Sequence, residues 1–425
     1  MNQGVKNFLE SHGFYLNLDI AKLASEIQAD MQAGLSGKKS YQDMALTYFD
    51  PSTIRQQEKS VIVIDAGGTN FRSSLVTFNK DGSASVSNFE KTKMPGTECE
   101  LSKKVFFNQI ATNIDRLKDS CDEICFCFSY AMKITEEHDG ILLNFSKEVK
   151  APEVVGSYIG VELKKSLAEH GWKKIPNVIL LNDTVSALLS GINNEKYSSY
   201  IGFILGTGMN CAYLQGENAE YELKKQIVVC ESAKFGGFKN SDFDIIMDEK
   251  SVKPGSAPLE KLCSGAYLGP LALETLQFAA RENIFSQEFS KAILKKESLT
   301  LIEVNTYLDE SDAQKGDYSE MFEADGATQA DCQNLFEIFD ALVDRMAKIA
   351  AAVIASSLLQ CDKSSTTKEK PVCVACNGTS FFKTYKVRER TQAYLAEIMK
   401  DKNISYEILP NESDITAGTA MAALA

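Results

Sequence analysis

The chain has 425 residues, 44% of them hydrophobic and 24% charged, which is enough to bury a sizeable core and to divide around a cleft. Its net charge of -13 repels phosphodiester backbones and anionic bilayers, so nucleic acid and membrane surfaces are poor partners. The 3 histidines lie in no motif and the 11 cysteines form no disulfide framework, which argues against a histidine triad or a His-rich metal centre and for reduced thiols in a cytosolic setting.

Taken from the N-terminus, the first residues show neither a basic segment nor a long apolar one, so no leader is expected. Leu9, Ile20, Leu23, Ile27 and Met31 share an apolar face, and residues from about 5 to 35 read as one helix. The run Val61–Asp65 reads as a buried strand ending in a Gly-Gly turn, with Phe71–Phe78 as its return strand. Cys125–Phe128 and Val178–Leu181 are two further strands. Tyr200–Leu205 leads through Gly206-Thr207-Gly208 into a short strand, Cys211–Leu214. From Leu335 to Leu358 the apolar spacing is near-helical and marks one long core helix. Val372–Cys376 is a strand, and its Cys373-x-x-Cys376 pair reads as core rather than as a redox motif. An amphipathic helix runs from Asn377-Gly378-Thr379 to about Met399, and a small-residue helix closes the chain. Ile349–Leu359, the longest apolar stretch, is too short to span a bilayer. Glycine turns after strands thus occur near 66–69, 206–208 and 377–379, which suggests an α/β protein of two lobes with a nucleotide between them.

Three segments bear chemistry, each with a plainer reading beside it. In Asp65-Ala66-Gly67-Gly68-Thr69-Asn70 an acidic residue closes a strand before two glycines. Such a turn lets backbone N–H groups approach a phosphate, and the carboxylate can hold Mg²⁺ through water. It is equally a tight hairpin. Asn182-Asp183-Thr184 stands between an apolar strand and a helix start, a natural place for a general base and an ordinary N-cap. Glu231 and Glu260 lie near glycines, where carboxylates can grip sugar hydroxyls or simply face solvent. Neither G-x-x-x-x-G-K-[ST] nor a helix-opening G-x-G-x-x-G is present.

Together these segments resemble the hexokinase family, within the superfamily of actin and the heat-shock ATPases. The resemblance is ordered and runs from about residue 40 to the end. DAGGTNFR at 65–72 looks like the first phosphate loop, and Phe128-Ser129-Tyr130 like the Ser-Phe-Pro sugar segment. Asn144-Phe145-Ser146-Lys147 is similar to the Thr-Lys segment, and Asn182-Asp183-Thr184-Val185 to the catalytic Asn-Asp-Thr-Val. Gly206-Thr207-Gly208-Met209-Asn210 looks like the second phosphate loop with a sugar-binding Asn. Glu231 and Glu260 fall at the sugar glutamates, and Asn377-Gly378-Thr379 and Gly418 in the adenosine region. The sequence departs from the pattern at Tyr130-Ala131, Ser146, Ser232-Ala233 and Asn377.

The resemblance implies a two-lobed actin-like ATPase (ribonuclease H-like) α/β fold with a central cleft. Residues 60–190 would form the small lobe, and 1–59 with 191–425 the large one. It implies transfer of the γ-phosphate of ATP, with Mg²⁺, to the 6-hydroxyl of a hexose, glucose first among them. Asp183 would be the general base, and Lys147 would bind sugar and lend positive charge. Ser129, Tyr130, Ser146, Lys147, Asn182, Asn210, Glu231 and Glu260 would contact the sugar. Asp65, Gly67, Gly68, Thr69, Asn70, Arg72, Gly206, Thr207, Gly208, Asn377, Gly378, Thr379 and Gly418 would contact Mg·ATP, with Asp65 reaching the metal through water. A monomer or homodimer in the cytoplasm, the setting already read from the cysteines, is expected, and a non-catalytic sugar sensor on this fold is the alternative.

Overall fold

The structure is a computed structural model that describes residues 1–80, 82–145, 149–192 and 195–425. The chain opens with α1 (Gln3–Ser11) and α2 (Ile20–Leu35), then β1 (Ala45–Leu46), β2 (Lys59–Gly67), β3 (Asn70–Phe78) and β4 (Ala84–Lys93). Next come α3 (Lys103–Ile114), β5 (Glu123–Phe128), β6 (Ala131–Ile134), β7 (Gly140–Asn144), α4 (Ile159–Glu169), β8 (Asn177–Leu181) and α5 (Asp183–Ser190). The strands β9 (Ser199–Leu205), β10 (Met209–Gln215) and β11 (Gln226–Val229) precede α6 (Asp242–Lys250), α7 (Leu268–Arg281), α8 (Gln287–Lys295) and α9 (Leu301–Glu310). The long α10 (Gln329–Gln360), β12 (Val372–Asn377), α11 (Thr379–Lys383), α12 (Val387–Met399), β13 (Tyr406–Ile408) and α13 (Ile415–Met421) complete it.

Two sheets carry the fold. One has the order β4-β3-β2-β5-β8 and the other β1-β11-β10-β9-β12-β13, with β6 and β7 as a separate hairpin. In each sheet an antiparallel meander joins parallel strands: β2 pairs parallel to β5, and β9 parallel to β12. Each sheet has its own apolar core. Phe106, Ile110, Phe126 and Leu163 belong to the first, and α10 runs through the second beside Ile201, Phe203 and Val374. A third cluster lies between the sheets, where Val61 and Val63 of β2 share a core with Val185, Leu188, Leu214, Val229 and Leu424. This middle layer holds α5 against strands of both sheets.

The expected single N-terminal helix is two. Gly13 sits at φ +74°, and Asp19 caps α2 by accepting Lys22 N, so the apolar stripe continues across a break in the backbone. The helix expected up to Met399 is likewise broken, with Lys386 at φ +51° between α11 and α12. The long core helix is present as 32 residues, opened by a capping box of Thr328 and Asp331. All cysteines among the described residues are free thiols, and Cys373 and Cys376 are buried in β12. Among the described residues no helix is long and apolar enough to cross a membrane.

Candidate active site

The first glycine turn joins β2 to β3. Val61–Ile64 are buried, while Asp65 emerges at the strand end and pairs across the ladder with Arg72, whose Nη1 donates to Oδ2 at 2.5 Å. Gly67 and Asn70 form the last register pair, and Gly68 takes φ +61° between them. Carbonyls hold the turn from below: Ser129 N donates to Ala66 O at 3.1 Å, Tyr130 Oη to Gly68 O at 3.3 Å, and Met94 N to Thr69 O at 2.9 Å.

The second turn joins β9 to β10, and Gly206 N donates to Gly208 O at 2.9 Å. Two other segments press on it. Gly265 N donates to Gly206 O at 2.8 Å, Ala266 N to Thr207 O at 3.1 Å, and Ser380 Oγ to Gly206 O at 3.0 Å. Glu260 Oε2 accepts Met209 N at 2.9 Å. Because β12 lies beside β9 in register, Asn377 falls opposite Ile204, and the third turn abuts the second. Gly378 is required there: it adopts φ +108°, and a Cβ would stand 2.3 Å from Leu205 O. Asn377 Nδ2 donates to Ser413 O at 2.7 Å and Gly378 N to Glu412 Oε1 at 3.2 Å, so the 412–413 segment closes the far side.

Between the turns lie the acids. The cap of α5 is Asn182, whose Oδ1 accepts Thr184 N at 2.9 Å and the Thr184 hydroxyl at 2.5 Å. The capping role expected of this segment thus falls on its first residue, and Asp183 becomes the first helical residue. A carboxylate in that turn is favoured by the helix dipole. Glu231 is held at φ +58°, a left-handed conformation uncommon away from glycine. Its Oε1 accepts Asn210 Nδ2 at 3.2 Å, while Asn210 Oδ1 accepts Cys211 N at 2.8 Å and Ser232 N at 3.2 Å. Burial pushes the Glu231 carboxyl above the usual range. Lys234 opposes this, the charges of Asp43 and Asp183 add to it, and the Asn210 bond opposes it. The buried Cys127 thiol is pushed up by desolvation first, then by the charges of Asp65 and Asp183, and the nearby side chains of Ser186 and Ser129 oppose the shift. One sulfur thus neighbours the end of β2, the segment after β5 and the start of α5.

The structure brings together Asp65, Ser129, Asp183, Asn210 and Glu231, with Glu260 reaching the second turn. Tyr130 is 3% exposed, and its ring packs tilted against Phe128 and edge-on to Phe145 with centroids 4.7 and 5.0 Å away, while its hydroxyl supports the first turn. Its inner side helps line a small cavity of about 30 Å³ beside Asn182 and Glu231. Gly418 is buried within α13, where a Cβ would lie 2.0 Å from Ser186 O, so the missing side chain lets α13 pack closely on α5. Ser146 and Lys147 lie outside the described residues. Of the departures, Ala131 opens β6 opposite Asn144, and Ser232 is buried with its N–H on Asn210. Sequence reasoning missed Lys261, Gly265 and Glu412. A lysine is by default exposed, and only the Ser264-Gly265 pair hinted at a close backbone approach.

A family model described as hexokinase matches residues 200–425, over half of the chain, and a second hexokinase model matches residues 10–192. Hexokinase-2 of Oryza sativa subsp. japonica is 28% identical over 63% of this chain, and the match spans 59% of that protein. Hexokinase-7 of the same plant is 24% identical over 94% of this chain and 92% of its own length. Human hexokinase-3 is 24% identical over 91% of this chain, which spans 43% of that longer protein. Among solved structures, hexokinase from Schistosoma mansoni complexed with glucose shares 23% identity, covers 99% of both chains and superposes with a TM-score of 0.82. That likeness establishes the fold, an actin-like α/β architecture of two sheets, as the resemblance implied.

Proposed function

The chain belongs to the hexokinase family, and from that premise we propose that it transfers the γ-phosphate of Mg·ATP to the 6-hydroxyl of a hexose, with glucose preferred. The observation that carries the reading is that β2, β5 and β8 pair in register through Asp65, Cys127 and Leu181, so Asp65 and Asp183 leave the same end of one sheet, while Asn182 and Glu231 line one small cavity. Neutral hydroxyls are the natural guests of such a carboxylate set.

In this reading Asp183 accepts the proton of the sugar hydroxyl as its oxygen attacks phosphorus. Its place in the first turn of α5 sets the carboxylate at the positive end of the helix dipole, beside the strand end that would meet the sugar. Ser129, Asn182, Asn210, Glu231 and Glu260 grip the remaining hydroxyls, and Lys147 adds positive charge. The backbones of Gly67–Thr69 and Gly206–Gly208 receive phosphate oxygens, and Asn377–Thr379 borders the adenosine. Among the described residues no group of three or more His, Cys, Asp or Glu could hold a metal, which suits an ion that arrives with the nucleotide and keeps most of its water. Asp65, steadied by Arg72, is the residue that would meet that hydrated ion. Bound Mg²⁺ would supply charge neutralisation on the phosphates. Residues 60–190 act as the lobe that closes over the sugar and excludes water. The free thiols accord with a reducing, cytoplasmic setting.

A coupled ADP-release assay across glucose, mannose, fructose, glucosamine and N-acetylglucosamine tests the reading. Glucose is expected to give the highest kcat/KM. Asp183→Ala should keep glucose binding and lose about 10²-fold or more in turnover. Glucose binding with no ADP formed on any hexose would favour the sugar sensor instead.

A further inference from the structure

Lys261 is a deeply buried charged residue that directly follows Glu260 in the chain. It is 2% exposed, yet its ammonium is fully engaged: it pairs with Asp248 Oδ1 and donates to Ser251 Oγ at 2.8 Å and to Lys253 O at 2.7 Å. Asp248 Oδ2 in turn accepts Gly255 N at 2.8 Å. An ammonium carries three donors, and all three knit the loop of residues 248–255 against the strand of chain that follows it.

That chain is Glu260 and its neighbours. Leu259 N donates to Ala233 O at 3.1 Å, tying the segment to the loop of Glu231. Ser264 N donates to Glu260 O at 2.9 Å, which shapes the turn from which Gly265 and Ala266 reach the carbonyls of Gly206 and Thr207. Glu260 itself holds Met209 N, and a Cβ on Gly208 would stand 2.6 Å from its Oε2. A carboxylate has about four acceptor sites on its two oxygens, so one group can hold the turn and still accept a hydroxyl. The sugar side and the phosphate side of the cleft therefore share one carboxylate within one lobe.

We propose that Lys261 is a positioning residue for both substrates: it fixes the Glu260 segment, and Glu260 couples sugar occupancy to the second glycine turn without any movement between lobes. This rests on the hexose and nucleotide reading above. A residue that only supported the fold would change the melting temperature and leave the two affinities alone. A residue that positions Glu260 changes both affinities together.

Calorimetric titrations of the full chain with glucose alone and with MgADP alone separate the cases. For Lys261→Met and Glu260→Gln, both dissociation constants should rise tenfold or more, the scale of one charge-assisted hydrogen bond. Glu231→Gln, whose carboxylate touches Asn210 and not the turn, should raise only the glucose constant. Ser251→Ala removes one lysine bond without stranding a charge and should raise both constants by about two- to fivefold. It carries the test if Lys261→Met does not fold. Unchanged constants in Ser251→Ala and in folded Lys261→Met, or a change confined to one ligand, would overturn the coupling alone. A wild-type chain that binds neither glucose nor MgADP would overturn the functional reading and the coupling with it.

Discussion

The two glycine turns, one at the edge of each sheet's antiparallel hairpin, have similar sequences and different supports. The first is a hairpin whose position follows from its own strands: β2 and β3 pair through nine residues from Lys59↔Phe78 to Gly67↔Asn70. The second is short and is held by chain far away in sequence, from Glu260, Gly265, Gly378 and Ser380. The first turn is set by local pairing and the second by packing, so side chains added at or near them should be tolerated unequally. Their charges differ as well. Asp65 faces Arg72 in an ion pair, whereas Glu231 leans on the neutral amide of Asn210 and its carboxyl is pushed up by burial.

The sharpest way to break this contrast is at the glycines. Gly378→Ala combines a forbidden φ with a 2.3 Å approach to Leu205 O and should cost about 2–4 kcal/mol of stability, with a raised ATP KM. Gly68→Ala meets the same left-handed strain at φ +61° and should cost only about 1–2 kcal/mol. Chemical denaturation of the pair reads the difference, and equal losses would remove the distinction between the turns.

Tyr130→Phe sharpens the other side. It deletes the hydroxyl on Gly68 O while keeping the stack on Phe128 and Phe145. Stability should fall by about 0.5–1.5 kcal/mol, with the ATP KM shifted more than the glucose KM. A glucose-only effect would return Tyr130 to the sugar.

The smallest effect concerns pH. With the Glu231 carboxyl raised, the folded chain binds a proton that the unfolded chain has released above the ordinary value of about 4.3, so stability falls as pH rises through that window. Glu231→Gln should therefore melt about 1–2 °C higher than wild type at pH 7–8, and the gain should vanish below about pH 4. In the wild type, glucose affinity should weaken on the acid side at a higher pH than an ordinary glutamate would require. A pH-independent difference in melting temperature would mean that Glu231 is not strained by its charge.

Much of this molecule is legible residue by residue. Runs such as Val61–Asp65 and Val178–Leu181 are apolar throughout and stop at turn residues, so their strand character is local information. The helix spacing of α10 is local as well. Errors arose where one backbone angle decides. The N-terminal stripe keeps its period across Gly13, and the cap of α5 fell on Asn182 instead of its neighbours, a choice made by which side chain reaches Thr184 N.

What the sequence determined by itself is the set of chemical groups and the strand-turn units that present them: Asp65 before its glycines, Asn182-Asp183 before a helix, Gly206-Thr207-Gly208 between strands. What only the tertiary structure decided is which distant backbone meets each turn. Glu260 finds Met209 N 51 residues away, and Gly418 meets the carbonyl of Ser186 across a helix crossing. A strand or a turn is encoded in consecutive residues because its bonds close locally. A shared carboxylate or a missing Cβ acquires meaning only once packing has brought two remote segments within 3 Å, and no period or motif in the sequence records that distance.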